Sequence, residues 1–133
     1  MAIILDADVI IRGEKGNFNL QQWLASRADD RFAIAAITIA ELWYGVERAA
    51  GPHRLKRQRY LATFLESLPI LPYTEQTAYE HARIWAALEM SGKIVGAHDL
   101  IVAATALERG DHVATFNTRH FARIPGLTLV QPS

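Results

Sequence analysis

The sequence contains no cysteine, which excludes disulfides and thiolate metal sites. It carries no excess of either charge, with 14 Lys and Arg against 14 Asp and Glu in 133 residues. A basic coat of the kind that holds nucleic acid non-specifically is therefore missing, although local patches remain available. The longest apolar run, Phe32 to Ala40, falls well short of the roughly 20 residues that span a bilayer. Asp6 and Asp8 interrupt the apolar amino terminus, which does not fit a secretory signal. Neither a GxGxxG nor a Walker loop occurs, arguing against nucleotide-cofactor folds built on those loops. The five histidines show no paired ligand spacing, so structural zinc is not expected. Together these absences describe a cytoplasmic protein with no membrane segment.

What is present is apolar patterning. Half the residues are hydrophobic, enough for a real core, and the length argues for one domain over residues 1–133. Ala2 to Leu5 and Phe32 to Ile37 are unbroken apolar runs, which predict buried strands. Shorter strands are predicted at Ile70-Leu71, His112 to Phe116 and Leu127 to Val130. Between them, helical patterns run over Leu20 to Arg27, the segment after Thr38, His53 to Leu68, the segment after Thr74, and Asp99 to Arg109, with a short helix near His120-Phe121. Gly51-Pro52 is expected to stop the second of these and Gly110 the fifth. Ala78, Ala82, Trp85 and Leu88 are expected to form one inward stripe, and Trp23 and Trp85 to lie in the core. Strands alternating with helices predict an α/β fold whose central sheet is mainly parallel and flanked by helices.

Four oxygen-bearing side chains fall just after the apolar runs or at helix starts: Asp6, Glu41, Asp99 and Asn117. In an open parallel sheet, ligands bind beyond the carboxyl ends of the strands. If the runs are neighbouring strands, these side chains meet. Clustered carboxylates repel one another unless a cation lies between them, so a divalent-metal site leads, with Asp6, Asp99 and Glu41 as ligands. A hard cation such as Mg²⁺ takes a few carboxylates and leaves positions for water or phosphate. Such an ion serves phosphodiester hydrolysis of RNA or DNA alike. Asp8, two residues from Asp6, would share its side in extended chain, and Thr38 and Thr115 would offer hydroxyls nearby. Taken singly, each acid reads equally as structural: Thr38 and Glu41 have capping-box spacing, and Asp99 can cap its own helix.

At these residues the chain resembles PIN-domain proteins, specifically VapC-type toxin ribonucleases of toxin–antitoxin pairs. Ile4-Leu5-Asp6-Ala7-Asp8-Val9-Ile10-Ile11 is similar to the family's first strand and acidic turn. Ile37 through Val46, with Glu41 and Gly45, resembles its second motif, Gly96 through Ala106 its third, and Thr115 through Phe121 its fourth. The resemblance spans nearly the whole chain. It implies a PIN-like fold, a metal-dependent endoribonuclease with Mg²⁺ or Mn²⁺, and site acids at Asp6, Glu41 and Asp99. It also implies a cognate VapB-type antitoxin, an RNA substrate, and homodimers that pair into larger complexes. At two positions the chain departs from the family. Asn117 stands at the fourth acidic position, and Asp8 where many relatives have Asn, so the two residues are read as having traded polarity.

Other features are weighed beside these. Arg54, Lys56, Arg57 and Arg59 form a basic cluster that suits RNA phosphates, or simply a solvated helix face. His98 and His120 offer a metal-free route through the ribose 2′-OH, which leaves Asp6 and Glu41 without a role. Trp43 and Tyr44, beside Glu41, suit base stacking, an antitoxin contact or packing. Readings from other classes are a non-catalytic PIN-like binding module, and a metal-dependent DNA nuclease or phosphatase.

Overall fold

A computed structural model describes residues 1–133. Five strands form one parallel sheet: β1 (Ala2–Leu5), β2 (Arg31–Ala35), β3 (Ile70–Leu71), β4 (His112–Ala114) and β5 (Leu129–Val130), in the order β3-β2-β1-β4-β5. The chain builds outward from β1 on one side, then returns to build outward on the other. The strand order therefore reverses between β1 and β4, where a parallel sheet opens a crevice at its carboxyl edge. Ile4 is the registered centre, opposite Ala33 on one side and Val113 on the other.

Both faces of the sheet are covered, which is why its strands read as unbroken apolar runs. Ile3 and Leu5 point into one core with Val9, Ile10, Trp23, Leu42, Leu61 and Phe64. Ile4, of opposite parity, points into a second core with Ile84, Leu88, Val102, Val113 and Phe121. Seven helices supply these layers: α1 (Ala7–Glu14), α2 (Leu20–Ser26), α3 (Ala36–Arg48), α4 (Gly51–Glu66), α5 (Glu75–Met90), α6 (Ala97–Arg109) and α7 (Thr118–Phe121). None is long and apolar enough to cross a membrane. Gly110 ends α6 in the left-handed region, φ 69°, as its position in the sequence predicts.

Several local expectations are corrected. Helix α1 was not foreseen: Asp8 is not in extended chain but in the first turn, and Asp6 is the N-cap, accepting from the Ala7 amide. The β-branched Val9-Ile10-Ile11 run favours strand locally, but both Val9 and Ile10 are buried and packing overrides that preference. Strand β2 ends at Ala35 because its ladder partner β3 ends at Leu71. Helix α3 then begins at Ala36 with no side-chain cap, so Thr38 caps nothing and lies fully buried in the first turn. Gly51-Pro52 opens α4 rather than closing α3, which already ends at Arg48; proline fits the first helical turn, where its missing N–H has no partner to lose. On α5 the buried stripe is Thr77, Ile84 and Leu88. It keeps the predicted Leu88 but has Thr77 and Ile84 in place of Ala78, Ala82 and Trp85, leaving Trp85 53% exposed, while Trp23 is buried as expected.

Candidate active site

Beyond the carboxyl ends of β1 and β4 the chain gathers its acids. Asp6 follows β1, and its amide extends the ladder to Ala114 O at 2.9 Å. Thr115 follows β4, and its hydroxyl donates to Asp6 Oδ2 at 2.8 Å. Thr115 Oγ1 in turn accepts from the Asn117 amide at 2.9 Å. Asp8, in the first turn of α1, accepts from the Phe116 amide at 3.0 Å and lies 3.4 Å from Thr115 Oγ1. Thr115, itself fully buried, thus ties Asp6, Asp8 and the Asn117 backbone into one knot. Glu41 enters from the second turn of α3 and Asp99 from the first turn of α6.

Electrostatics show that these four carboxyl groups share one field. Burial pushes Asp6 up to about 7, and the charges of Asp8 and Asp99 add to the rise against the pull of the Thr115 and Ala7 hydrogen bonds. Asp8 is raised by burial, opposed by its bonds to Phe116 and Thr115 and by the Arg12 charge. Glu41 is raised by burial and by the Asp99 and Asp8 charges, with His98 opposing. Asp99 is raised by burial and by Asp8, with His120 and His98 opposing. Every acid in the crevice therefore ionises less readily than it would in water, as expected of like charges held together away from solvent.

A divalent cation would reverse that penalty, and the donor set fits one. All donors are oxygens, the preference of Mg²⁺ and Mn²⁺. Asp8 Oδ1 and Glu41 Oε1 are buried without any hydrogen-bond partner, which is costly unless something else satisfies them. The acids do not close into a finished cage of three or more side chains. Mg²⁺ needs none, since it keeps several waters and is held by few carboxylates. Asp6, Glu41 and Asp99 remain the ligand candidates from the sequence, and Asp8 joins them on its orphaned oxygen.

The remaining sequence candidates divide. Asn117 turns its side chain to His120, with Nδ2 3.0 Å from Nδ1. His98 Nδ1 lies 4.0 Å from Glu41 Oε1, so the two histidines have separate partners. The hydroxyl of Thr38 is buried and unpartnered, one turn before Glu41. Trp43 is half-buried against the core and Tyr44 is exposed, its hydroxyl accepting from Arg48 at 2.9 Å. The basic cluster stands apart on α4. Lys56 and Arg57 line a cleft of about 420 Å³ with Glu14, Lys15, His53 and Tyr60. Arg57 is committed there, 3.4 Å from Glu14 and lying over Gly45, where a Cβ would come within 2.8 Å of Arg57 Nη2. Arg54 pairs with Glu47 at 3.4 Å. Two rim residues escaped the sequence reading. Arg12 lies over the Phe116 ring, 4.2 Å from its centroid, and Phe18 abuts that ring edge-on at 5.2 Å. The signal was the Asp8 to Arg12 spacing of four, which has meaning only once α1 is a helix.

Comparison with known proteins agrees with this geometry. The PIN domain family model matches residues 3–127. Ribonuclease VapC1 of Rickettsia felis is 32% identical over 100% of this chain and 98% of its own length. The tRNA(fMet)-specific endonuclease VapC of Salmonella typhimurium is 37% identical over 74% of each chain. Among solved structures, a chain of the DNA-bound VapBC complex of Salmonella typhimurium superposes with TM-score 0.89, at 31% identity over 98% of both chains. A chain of VapBC2 from Rickettsia felis, bound to a promoter fragment, gives 0.92 at 27% identity over the full length of both. The fold is that of a PIN domain. The chain belongs to that family and, within it, to the VapC ribonucleases.

Proposed function

We propose that this chain, a single PIN domain over residues 1–133, is the toxin of a toxin–antitoxin pair and hydrolyses RNA phosphodiesters with the help of Mg²⁺ or Mn²⁺. The observation that carries the reading is the knot at the β1–β4 switch: Thr115 donating to Asp6 and 3.4 Å from Asp8, in a crevice where oxygens of Asp8 and Glu41 are buried without partners. Asp6, Asp99 and Glu41 would hold the cation, with Asp8 adding charge that Asn117 does not supply. When bound, the ion supplies positive charge for the phosphodiester and makes a water acidic enough to attack at neutral pH.

The chain's own residues do the rest. Thr115 donates to Asp6 and accepts from Asn117, fixing the carboxylate's orientation. Glu41, whose Oε1 is buried without a hydrogen-bond partner, either joins in holding the cation or orients the attacking water by accepting a hydrogen bond from it. Asn117 holds His120 through its side-chain amide, 3.0 Å from Nδ1, and the two would orient water or substrate. Direct attack by water on phosphorus leaves a 5′-phosphate and a 3′-hydroxyl, and asks nothing of the 2′-OH.

The biological setting follows the relatives. A VapB-type antitoxin would cover the crevice, and cytoplasmic RNA, such as the tRNA named for the Salmonella relative, would be the substrate. The expected homodimer has an apolar surface to use, since Trp85, Met90 and Ile94 are all more than half exposed. The deciding test is sequencing of 5′-phosphorylated fragments from bulk tRNA and rRNA incubated with Mn²⁺, with an Asp99→Ala control and an EDTA control. Discrete 5′-phosphorylated ends that vanish in both controls are expected. Cleavage that persists in EDTA, or ends carrying 2′,3′-cyclic phosphate, would overturn the metal mechanism; cleavage of DNA alone would overturn the substrate.

A further inference from the structure

We propose that Arg12, laid across the Phe116 ring, is an RNA-binding residue that holds a phosphate flanking the scissile one and so sets the strand in the acidic crevice. The inference rests on the nuclease reading above and extends it to how a polyanion approaches a nest of acids.

The geometry separates this arginine from its neighbours. Arg12 stands one turn after Asp8 on α1, within reach of its field. Were its role to neutralise Asp8, it would pair with it. Instead Asp8 Oδ2 is spent on Phe116 N–H, with Thr115 Oγ1 3.4 Å away, Asp8 Oδ1 has no partner at all, and the guanidinium carbon lies over the ring, 4.2 Å from its centroid. A guanidinium held over a ring by a cation–π contact spends none of its N–H donors on a hydrogen bond or ion pair, and these form the fork that grips phosphate through two parallel hydrogen bonds. Those donors are unspent: Arg12 is exposed and its side chain makes no hydrogen bond or ion pair within the chain, whereas Arg57 and Arg54 are committed to Glu14 and Glu47.

The ring beneath it is fixed on two sides. Phe18 meets Phe116 edge-on at 80° and itself packs on Trp23 of the core. The backbone amide of Phe116 is the donor to Asp8. The platform for Arg12 is thus bolted to the acid whose charge the strand must approach. Stacking limits the rotamers open to Arg12, so less freedom is lost when the phosphate arrives.

The experiment compares wild type with Arg12→Ala, Arg12→Lys and Phe116→Leu on a single-stranded 12-mer oligoribonucleotide and on bulk tRNA with Mn²⁺. Binding to the 12-mer is measured in an Asp99→Asn background across a salt series. For Arg12→Ala the expected results are KM raised about tenfold with kcat within about threefold, and a log–log salt slope smaller by about 0.7, the value of one phosphate on a single strand. Arg12→Lys should keep the slope but recover only part of the affinity, since it keeps the charge and loses the fork. Phe116→Leu should weaken binding in the same direction. An Arg12→Ala protein with wild-type KM and slope, or one that loses kcat alone, would overturn the proposal while wild-type cleavage leaves the nuclease reading intact. Absence of metal-dependent cleavage by the wild type would instead remove the reading on which it stands.

Discussion

Asp6→Asn should make the metal-free protein more stable at neutral pH while abolishing its activity. Asp6 is 4% exposed, and its carboxyl is raised from 3.8 to about 7. The folded state therefore holds a proton that the unfolded chain has released across that window. The sign follows from linkage: stability from this group is fully present below about 4 and is lost as the pH rises through about 7. Each tenfold change in proton affinity is worth about 1.4 kcal/mol, so the penalty for the ionised form is of order 2–4 kcal/mol, the lower end because Asp6 and Asp8 share it. A carboxamide removes the charge and keeps the contacts. Its oxygen still accepts from Ala7, and its NH₂ faces Thr115 Oγ1, which can turn its own proton to Asp8 Oδ2 at 3.4 Å. The assay is urea unfolding in EDTA at about pH 5 and about pH 8. With a slope of roughly 1–3 kcal/mol per M, the midpoint of the variant should exceed wild type by about 1–2 M at the higher pH and by little at the lower. Added Mn²⁺ should stabilise wild type far more than the variant, because one ligand is gone. A variant equally destabilised at both pH values would refute the account of Asp6 as a strained, buried charge.

The other acids are also raised, in the same direction as Asp6 with its value of about 7, so wild type in chelator should lose stability as the pH rises from the usual carboxylate range through about 7, and Mn²⁺ should flatten that profile; a profile rising over this range would contradict the shared field. If Asp8 supplies the charge that Asn117 lacks, the double change Asp8→Asn with Asn117→Asp should retain more cleavage than the two single losses combined, measured on one RNA under one Mn²⁺ concentration. Thr115→Val removes the hydroxyl donor to Asp6 and the acceptor for the Asn117 amide, and should cost about 1–3 kcal/mol with a loss of kcat rather than a rise in KM. Gly45→Ala brings a methyl against the Arg57 guanidinium, the far end of a flexible side chain that can swing aside at the expense of its ion pair with Glu14; the helix gain of about 1 kcal/mol for Ala over Gly offsets that loss, so thermal unfolding should show a stability within about 1 kcal/mol of wild type, and a large drop would mean that the guanidinium cannot move.

The acids illustrate how far local reading reaches. Asp6 and Asp99 could be assigned to a site because they sit where a buried run ends or a helix starts, positions fixed by hydrophobic burial. Asp8 could not be oriented, because whether it follows in strand or helix depends on Val9 and Ile10 finding a core on one side. Trp85 shows the same limit. Its spacing on α5 satisfies a helical stripe, but the face that turns inward is chosen by contact with α6, where Glu108 accepts from Thr77 at 2.7 Å.

The order of apolar runs and helical patterns was enough, by itself, to determine a parallel α/β sheet and to put acids at its carboxyl edge, since burial of unbroken apolar segments leaves few alternatives. Tertiary structure alone decided that β1 and β4 are neighbours, and so brought Thr115 to Asp6 across 109 positions of sequence. It alone laid Arg12 on Phe116 and committed Arg57 to Glu14. Such contacts join residues with no periodic relation along the chain, and no local pattern encodes which distant side chain will arrive.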